Sequence, residues 1–241
     1  MTSKRHLTVG VLGGMGPEAT LDFFRRVIGY TPARSDQDHL HLIIDNDPSV
    51  PNRNDAIAGT GPSPAPQLAA MARRLADAGA DFLVIACNSA YAFESAVREA
   101  TSIPLVSIVD ETARELARTH PGSRKVGLLA ATACLKAQLY QRAFENLGVE
   151  TIEPRGAELD AFMQVLYRIK AGERGADITT RMAAIADGLI ALGAEIIVAA
   201  CTEVPLVLPP ERVARPLLDS TDVLAARTVL YATGAEELPV R

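Results

Sequence analysis

Tryptophan is absent from this chain, aromatic residues make up only 5% of it, and 3 of its 241 residues are cysteines. So small and odd a number of thiols does not read as a disulfide framework, and reduced cysteines in the cytoplasm are the expectation. Excess positive charge is also missing: the formal net charge is -5, and the sparse Phe and Tyr do not interleave with Lys and Arg. That argues against a general nucleic-acid binder, which needs a basic face to neutralise phosphates. Long hydrophobic runs are lacking too. Apolar stretches such as residues 82–86 and 196–200 are far too short to cross a bilayer, and the start Met1-Thr2-Ser3-Lys4-Arg5-His6 has no apolar leader core. No membrane partner is expected.

What the chain does have is 48% apolar residues, enough for one large or two compact α/β domains. Short β-rich runs alternate with longer helical stretches, the pattern of βαβ units with parallel sheets. Strands are predicted at residues 7–12, 40–45, 82–86, 104–108, 125–130, 195–199 and 216–219. Helices are predicted at 17–29, 65–78, 91–100, 110–118, 133–147, 158–171, 177–192 and 221–232.

Two of the predicted strands carry nearly the same sentence. Gly79-Ala80-Asp81-Phe82-Leu83-Val84-Ile85-Ala86-Cys87 matches Gly193-Ala194-Glu195-Ile196-Ile197-Val198-Ala199-Ala200-Cys201, an offset of 114. Val9-Gly10-Val11-Leu12 matches Val126-Gly127-Leu128-Leu129 at an offset of 117, and Pro104-Leu105-Val106 matches Pro216-Leu217-Leu218 at 112. Three matches in one order predict two similar Rossmann-like α/β halves with parallel sheets, and if these are related by a pseudo-twofold axis the active site is in the cleft between them. The first half is read as residues 1–104 plus 217–241 and the second as 105–216.

Each cysteine segment is a buried strand ending on a thiol, at the carboxyl edge where α/β proteins hold ligands. Either cysteine alone reads as a small buried apolar residue; their equivalence in the repeat favours function. A thiolate and a thiol facing one carbon can remove a proton from one side and deliver one to the other, which is racemisation. Glu203 is two residues beyond Cys201 and either orients its thiol or caps a helix. Gly13-Gly14-Met15-Gly16 opens the first helix without the G-x-G-x-x-G spacing of a dinucleotide site, leaving a carboxylate-binding loop or a plain tight turn. Arg53 and Lys170 are candidate carboxylate cations or solvated surface charges. Cys134 reads as packing, and His39 with His41 completes no zinc spacing.

Gly13-Gly14-Met15-Gly16-Pro17-Glu18-Ala19-Thr20 resembles the GGMGPxAT motif of the cofactor-independent aspartate racemases, within the aspartate/glutamate racemase superfamily. Cys87-Asn88-Ser89-Ala90 resembles their CNTA motif and Cys201-Thr202-Glu203 their GCTE motif. The resemblance runs over almost the whole chain. It implies a homodimeric, metal-free and cofactor-free racemase whose only other partner is an amino acid, with Cys87 and Cys201 as base and acid and Glu203 as the second thiol's partner. Substrate contacts implied by it are Met15, Gly16, Arg53, Asn88, Ser89, Tyr91, Thr132, Lys170 and Thr202. Three positions depart from the pattern: Tyr91 replaces a common His, Asn52 an Asp, and Ala200 a Gly. The function expected is interconversion of L- and D-aspartate, with glutamate or other amino acids as further substrates. Decarboxylation or cis–trans isomerisation of a dicarboxylic acid, and non-catalytic amino-acid binding, are the alternatives.

Overall fold

The alternating signals condense into two four-stranded, wholly parallel sheets. The computed structural model describes residues 6–239; the expected leaderless start at 1–5, and the ends of the expected first half at 1–5 and 240–241, lie outside them. In the first sheet β1 (Val9–Gly13) lies between β2 (Leu42–Asn46) and β3 (Phe82–Ile85), with β4 (Leu105–Val106) beyond β3. The second repeats the order: β5 (Lys125–Ala130) between β6 (Glu150–Ile152) and β7 (Ile196–Ala200), then β8 (Leu217–Asp219). Pairing puts Leu12 beside Ile85 and Ala130 beside Ala200, so the segments ahead of both cysteines stop level with the loops after β1 and β5.

Helices joining the strands are α1 (Pro17–Tyr30), α2 (Arg53–Ala58), α3 (Ala65–Asp77), α4 (Glu94–Ala100), α5 (Ile108–Thr119), α6 (Thr132–Lys136), α7 (Leu139–Glu145), α8 (Ala157–Lys170), α9 (Ala176–Ala191) and α10 (Ser220–Thr233). Period-two alternation divides the work of β5. Val126, Leu128 and Ala130 join a core cluster shared with β1 and β3, while Leu129 packs in a second cluster with Phe162 and Leu166 of α8 and Met182 of α9. One continuous apolar core therefore ties the two sheets together. Gly10 and its repeat mate Gly127 allow close packing of helix on strand: a Cβ on Gly10 would come 2.6 Å from Leu83 Cδ2, and one on Gly127 2.7 Å from Ile197 Cδ1.

Several expectations need correction. The division at 104/105 and 216/217 cuts each sheet one strand early, because Leu105–Val106 pairs with β3 and Leu217–Asp219 with β7. The helix expected over 133–147 breaks at Gln138, whose φ of 54° starts α7 in a new direction. Residues 88–93 form a 3-10 turn rather than the start of a helix at Tyr91. β6 and α2 were not expected: β6 is a three-residue edge strand, and α2 is a six-residue helix defined by its caps, Asn52 accepting from the Asn54 amide and Gly59 left-handed.

The turn after β1 is fixed by Gly14. Its φ is +89°, and a Cβ there would lie 2.4 Å from the Asp47 carbonyl carbon. Thr20 locks the same turn, its hydroxyl accepting from the Gly14 amide at 2.9 Å and donating to the Gly16 carbonyl at 3.0 Å. Gly14→Ala is expected to lower stability by roughly 1–3 kcal/mol, from backbone strain and the forced retreat of the Asp47 loop. Urea unfolding of the variant checks this; an unchanged midpoint would contradict it.

Candidate active site

Carboxyl ends of β1, β3, β5 and β7 open onto one cavity of about 390 Å³. Cys87 and Cys201 both line it, the first at the end of β3 and the second at the end of β7, each only 6% exposed. Of the other expected residues, Met15, Arg53, Asn88, Ser89, Lys170, Thr202 and Glu203 line the same cavity. All three cysteines are free and buried, and Cys134 lies outside the lining.

Three expected contacts fall elsewhere. Tyr91 is buried beneath the site, its phenol donating to the Val106 carbonyl at 2.8 Å and accepting from the Ile85 amide at 3.2 Å. It ties the ends of β3 and β4 together, and this backbone role accounts for a phenol that cannot reach the cavity. Thr132 begins α6 beside the cavity, where Ala131 supplies the lining. Gly16 belongs to an adjoining cleft, which shares Met15, Arg53, Lys170 and Glu203 with the first.

The glycine loop presents a carbonyl rather than a nest of amides. Met15 O accepts from Arg53 Nη2 at 3.0 Å and from Lys170 Nζ at 3.4 Å. Arg53 also donates to the Val50 and Pro51 carbonyls at 3.1 and 2.9 Å, while its buried Nε has no partner. Loop and cations thus brace each other, and a tight turn is the better description of Gly13-Gly14-Met15-Gly16.

Glu203 organises the second thiol. Cys201 Sγ donates to Glu203 Oε2 at 3.1 Å, Thr202 Oγ1 donates to the same oxygen at 3.3 Å, and Glu203 Oε1 pairs with Lys170 Nζ. Burial pushes the Cys201 thiol well above the ordinary range; the Glu203 carboxylate adds to this and the Lys170 ammonium opposes it. Burial works against the Lys170 charge, but the Glu203 carboxylate and, when ionised, the Cys201 and Cys87 sulfurs outweigh it and its pKa rises, so Lys170 is an ammonium at neutral pH. Cys201 rests as a protonated acid. Cys87 has no such carboxylate; Asn88 and Ser89 follow it on the 3-10 turn.

Sequence reasoning missed the cavity wall made by Asn54 and Tyr167. Asn54 Nδ2 donates to Tyr167 Oη at 3.2 Å, and Asn54 Oδ1 accepts from the Ala133 amide at 2.8 Å, linking α2 of one half to α8 and α6 of the other. Tyr167 is three residues before Lys170 on α8, so the helical period that puts Lys170 at the cavity puts Tyr167 there too. Among the described residues, no group of three or more His, Cys, Asp and Glu side chains is arranged to hold a metal.

Two parallel sheets of matched order, with a thiol from each at a shared cavity, define an amino-acid racemase scaffold. The chain belongs to the Asp/Glu/Hydantoin racemase family, whose model matches residues 12–228. It is 28% identical over 228 residues to a broad specificity amino-acid racemase of Bacillus subtilis (strain 168), covering 92% of this chain and 96% of that protein. An aspartate racemase of Picrophilus torridus superposes with a TM-score of 0.81 at 26% identity, covering 95% of this chain and 94% of that one. Glutamate racemase of Campylobacter jejuni shares the fold, with a TM-score of 0.64 at 16% identity, covering 98% of this chain and 88% of that one.

Replacing Cys87 and Cys134 with alanine leaves Cys201 as the only thiol, so its alkylation rate against pH reports its ionisation. Glu203→Gln removes a negative neighbour and is expected to move that profile to lower pH. Lys170→Met removes the opposing ammonium and moves it higher. Two shifts in one direction would contradict the assigned electrostatics.

Proposed function

We propose that this racemase interconverts L- and D-aspartate by cofactor-independent 1,1-proton transfer between Cys87 and Cys201. What carries the reading is the presence of both strand-end thiols on the lining of one cavity. Cys87 as thiolate removes the α-proton from one face of the substrate; Cys201, held protonated beside Glu203, delivers its proton to the other. The products are the inverted amino acid, a Cys87 thiol and a Cys201 thiolate; this form is set for the reverse reaction, and proton exchange with solvent returns it to the starting form for another turnover in the same direction. Lys170 pairs with Glu203 Oε1, which leaves Oε2 to accept the Cys201 hydrogen bond.

Charge supports a dicarboxylic substrate. Lys170 is paired with Glu203, whereas the Arg53 guanidinium bonds to the backbone carbonyls of Met15, Val50 and Pro51, so its charge is not matched by a lining carboxylate and can attract a second substrate carboxylate. Neutral Asn52, Asn54 and Tyr167 on the same lining favour a second reading, in which glutamate and uncharged amino acids also turn over. The family resemblance supports a homodimer in the cytoplasm as the working form. Among the described residues no helix is long and apolar enough to cross a membrane.

Cys87→Ala and Cys201→Ala are each expected to reduce racemisation of aspartate by at least about 100-fold, the usual worth of a positioned acid or base. Polarimetry on both enantiomers checks this, and either variant racemising at the parent rate would reject the assignment. On a substrate panel, aspartate is expected to exceed asparagine in kcat/KM by about tenfold or more, the effect of one unmet charge at roughly 1.4 kcal/mol. Equal values would favour the broader specificity.

A further inference from the structure

Asn88 follows Cys87 directly, is 2% exposed, and is gripped by buried side chains of α7 and α10. Tyr140 of α7 donates its hydroxyl proton to Asn88 Oδ1, and Asn88 Nδ2 donates to Ser220 Oγ at 3.1 Å. Ser220, the first residue of α10, donates in turn to the Ala199 carbonyl at 2.7 Å. Tyr140 and Ser220 are both fully buried, so no solvent competes for these bonds.

The chain has a single polarity. Ser220 has one proton and spends it on Ala199, so it must accept from an amide nitrogen; that turns the Asn88 oxygen to Tyr140, which must then be protonated. Burial holds the Tyr140 phenol far above its ordinary range, in keeping with a permanent donor. Ala199 is on β7, two residues before Cys201. Two hydrogen bonds therefore run from the turn bearing one thiol to the strand bearing the other, and the Tyr140 bond holds the first of them in place.

We propose that Tyr140 and Ser220 are positioning residues which, through Asn88, fix Cys87 relative to Cys201 on the two faces of the substrate. The proposal rests on the two-thiol reading above. Neither residue lines the cavity; both act by denying the Cys87 turn other orientations. An amide left without these partners would let the thiol drift, and drift of about 1 Å is worth up to roughly 100-fold in rate.

Tyr140→Phe and Ser220→Ala test it, with Thr228→Ala as a control: Thr228 is equally buried on α10 and bonds only to its own helix at Leu224 O, at 2.7 Å. Turnover of each pure enantiomer in D2O gives kcat, KM and the ratio of α-deuterium gained with retention to that gained with inversion. Tyr140→Phe and Ser220→Ala are expected to lose about 10- to 100-fold in kcat, with KM changed less than about threefold. Their retention-to-inversion ratio should rise, because a misplaced thiol lets the carbanion be reprotonated on the face it lost. Thr228→Ala should lower the melting temperature and leave the ratio alone. A parent-like ratio in both variants, or a kcat loss no larger than that of Thr228→Ala, would overturn the positioning role. Failure of the two-thiol reading shows separately, as racemisation surviving in Cys87→Ala or Cys201→Ala.

Discussion

Parallel pairing of β3 on β1 and of β7 on β5 is the constraint from which the site follows. A parallel sheet sends every carboxyl end to one edge, so a residue placed just after a central strand is carried to that edge by backbone hydrogen bonds alone. Leu12 beside Ile85 and Ala130 beside Ala200 set the height of each strand end. One core cluster running through both sheets then holds the two edges at a shared cavity. Neither cysteine needs a flexible loop to reach the substrate.

Around this symmetric frame the chemistry is asymmetric. Cys201 has a carboxylate and, behind it, an ammonium; Cys87 has an amide clamped by two buried hydroxyls. One thiol is governed by charge and the other by position. A pair of groups with unlike environments can rest as one acid and one base, which two identical environments would not ensure.

The duplicated strands, the glycine turn and the Cys-Asn-Ser and Cys-Thr-Glu segments were legible in the sequence because each is written in consecutive residues. They gave the two parallel sheets and, of the cavity lining, Met15, Cys87, Asn88, Ser89, Cys201, Thr202 and Glu203. Tyr91 misled because a phenol next to a motif says nothing of the direction it points; the 3-10 turn at residues 88–93 sends it down to Val106. Asn54, Tyr140 and Ser220 were silent because each gains its meaning from a partner 52 to 132 residues away, and no local spacing encodes that. The 3-residue edge strand β6 and the break at Gln138 are short features that no repeat or motif in the sequence marks.

The central claim is that the two thiols serve opposite faces of one carbon. Initial-rate racemisation of a single pure enantiomer in D2O, with deuterium at Cα followed by mass spectrometry and chiral separation, tests it most directly. With two bases, early product carries one solvent deuterium while unreacted substrate stays almost free of it. Deuterium appearing equally in both from the start would mean that one base serves both faces, and would contradict the account.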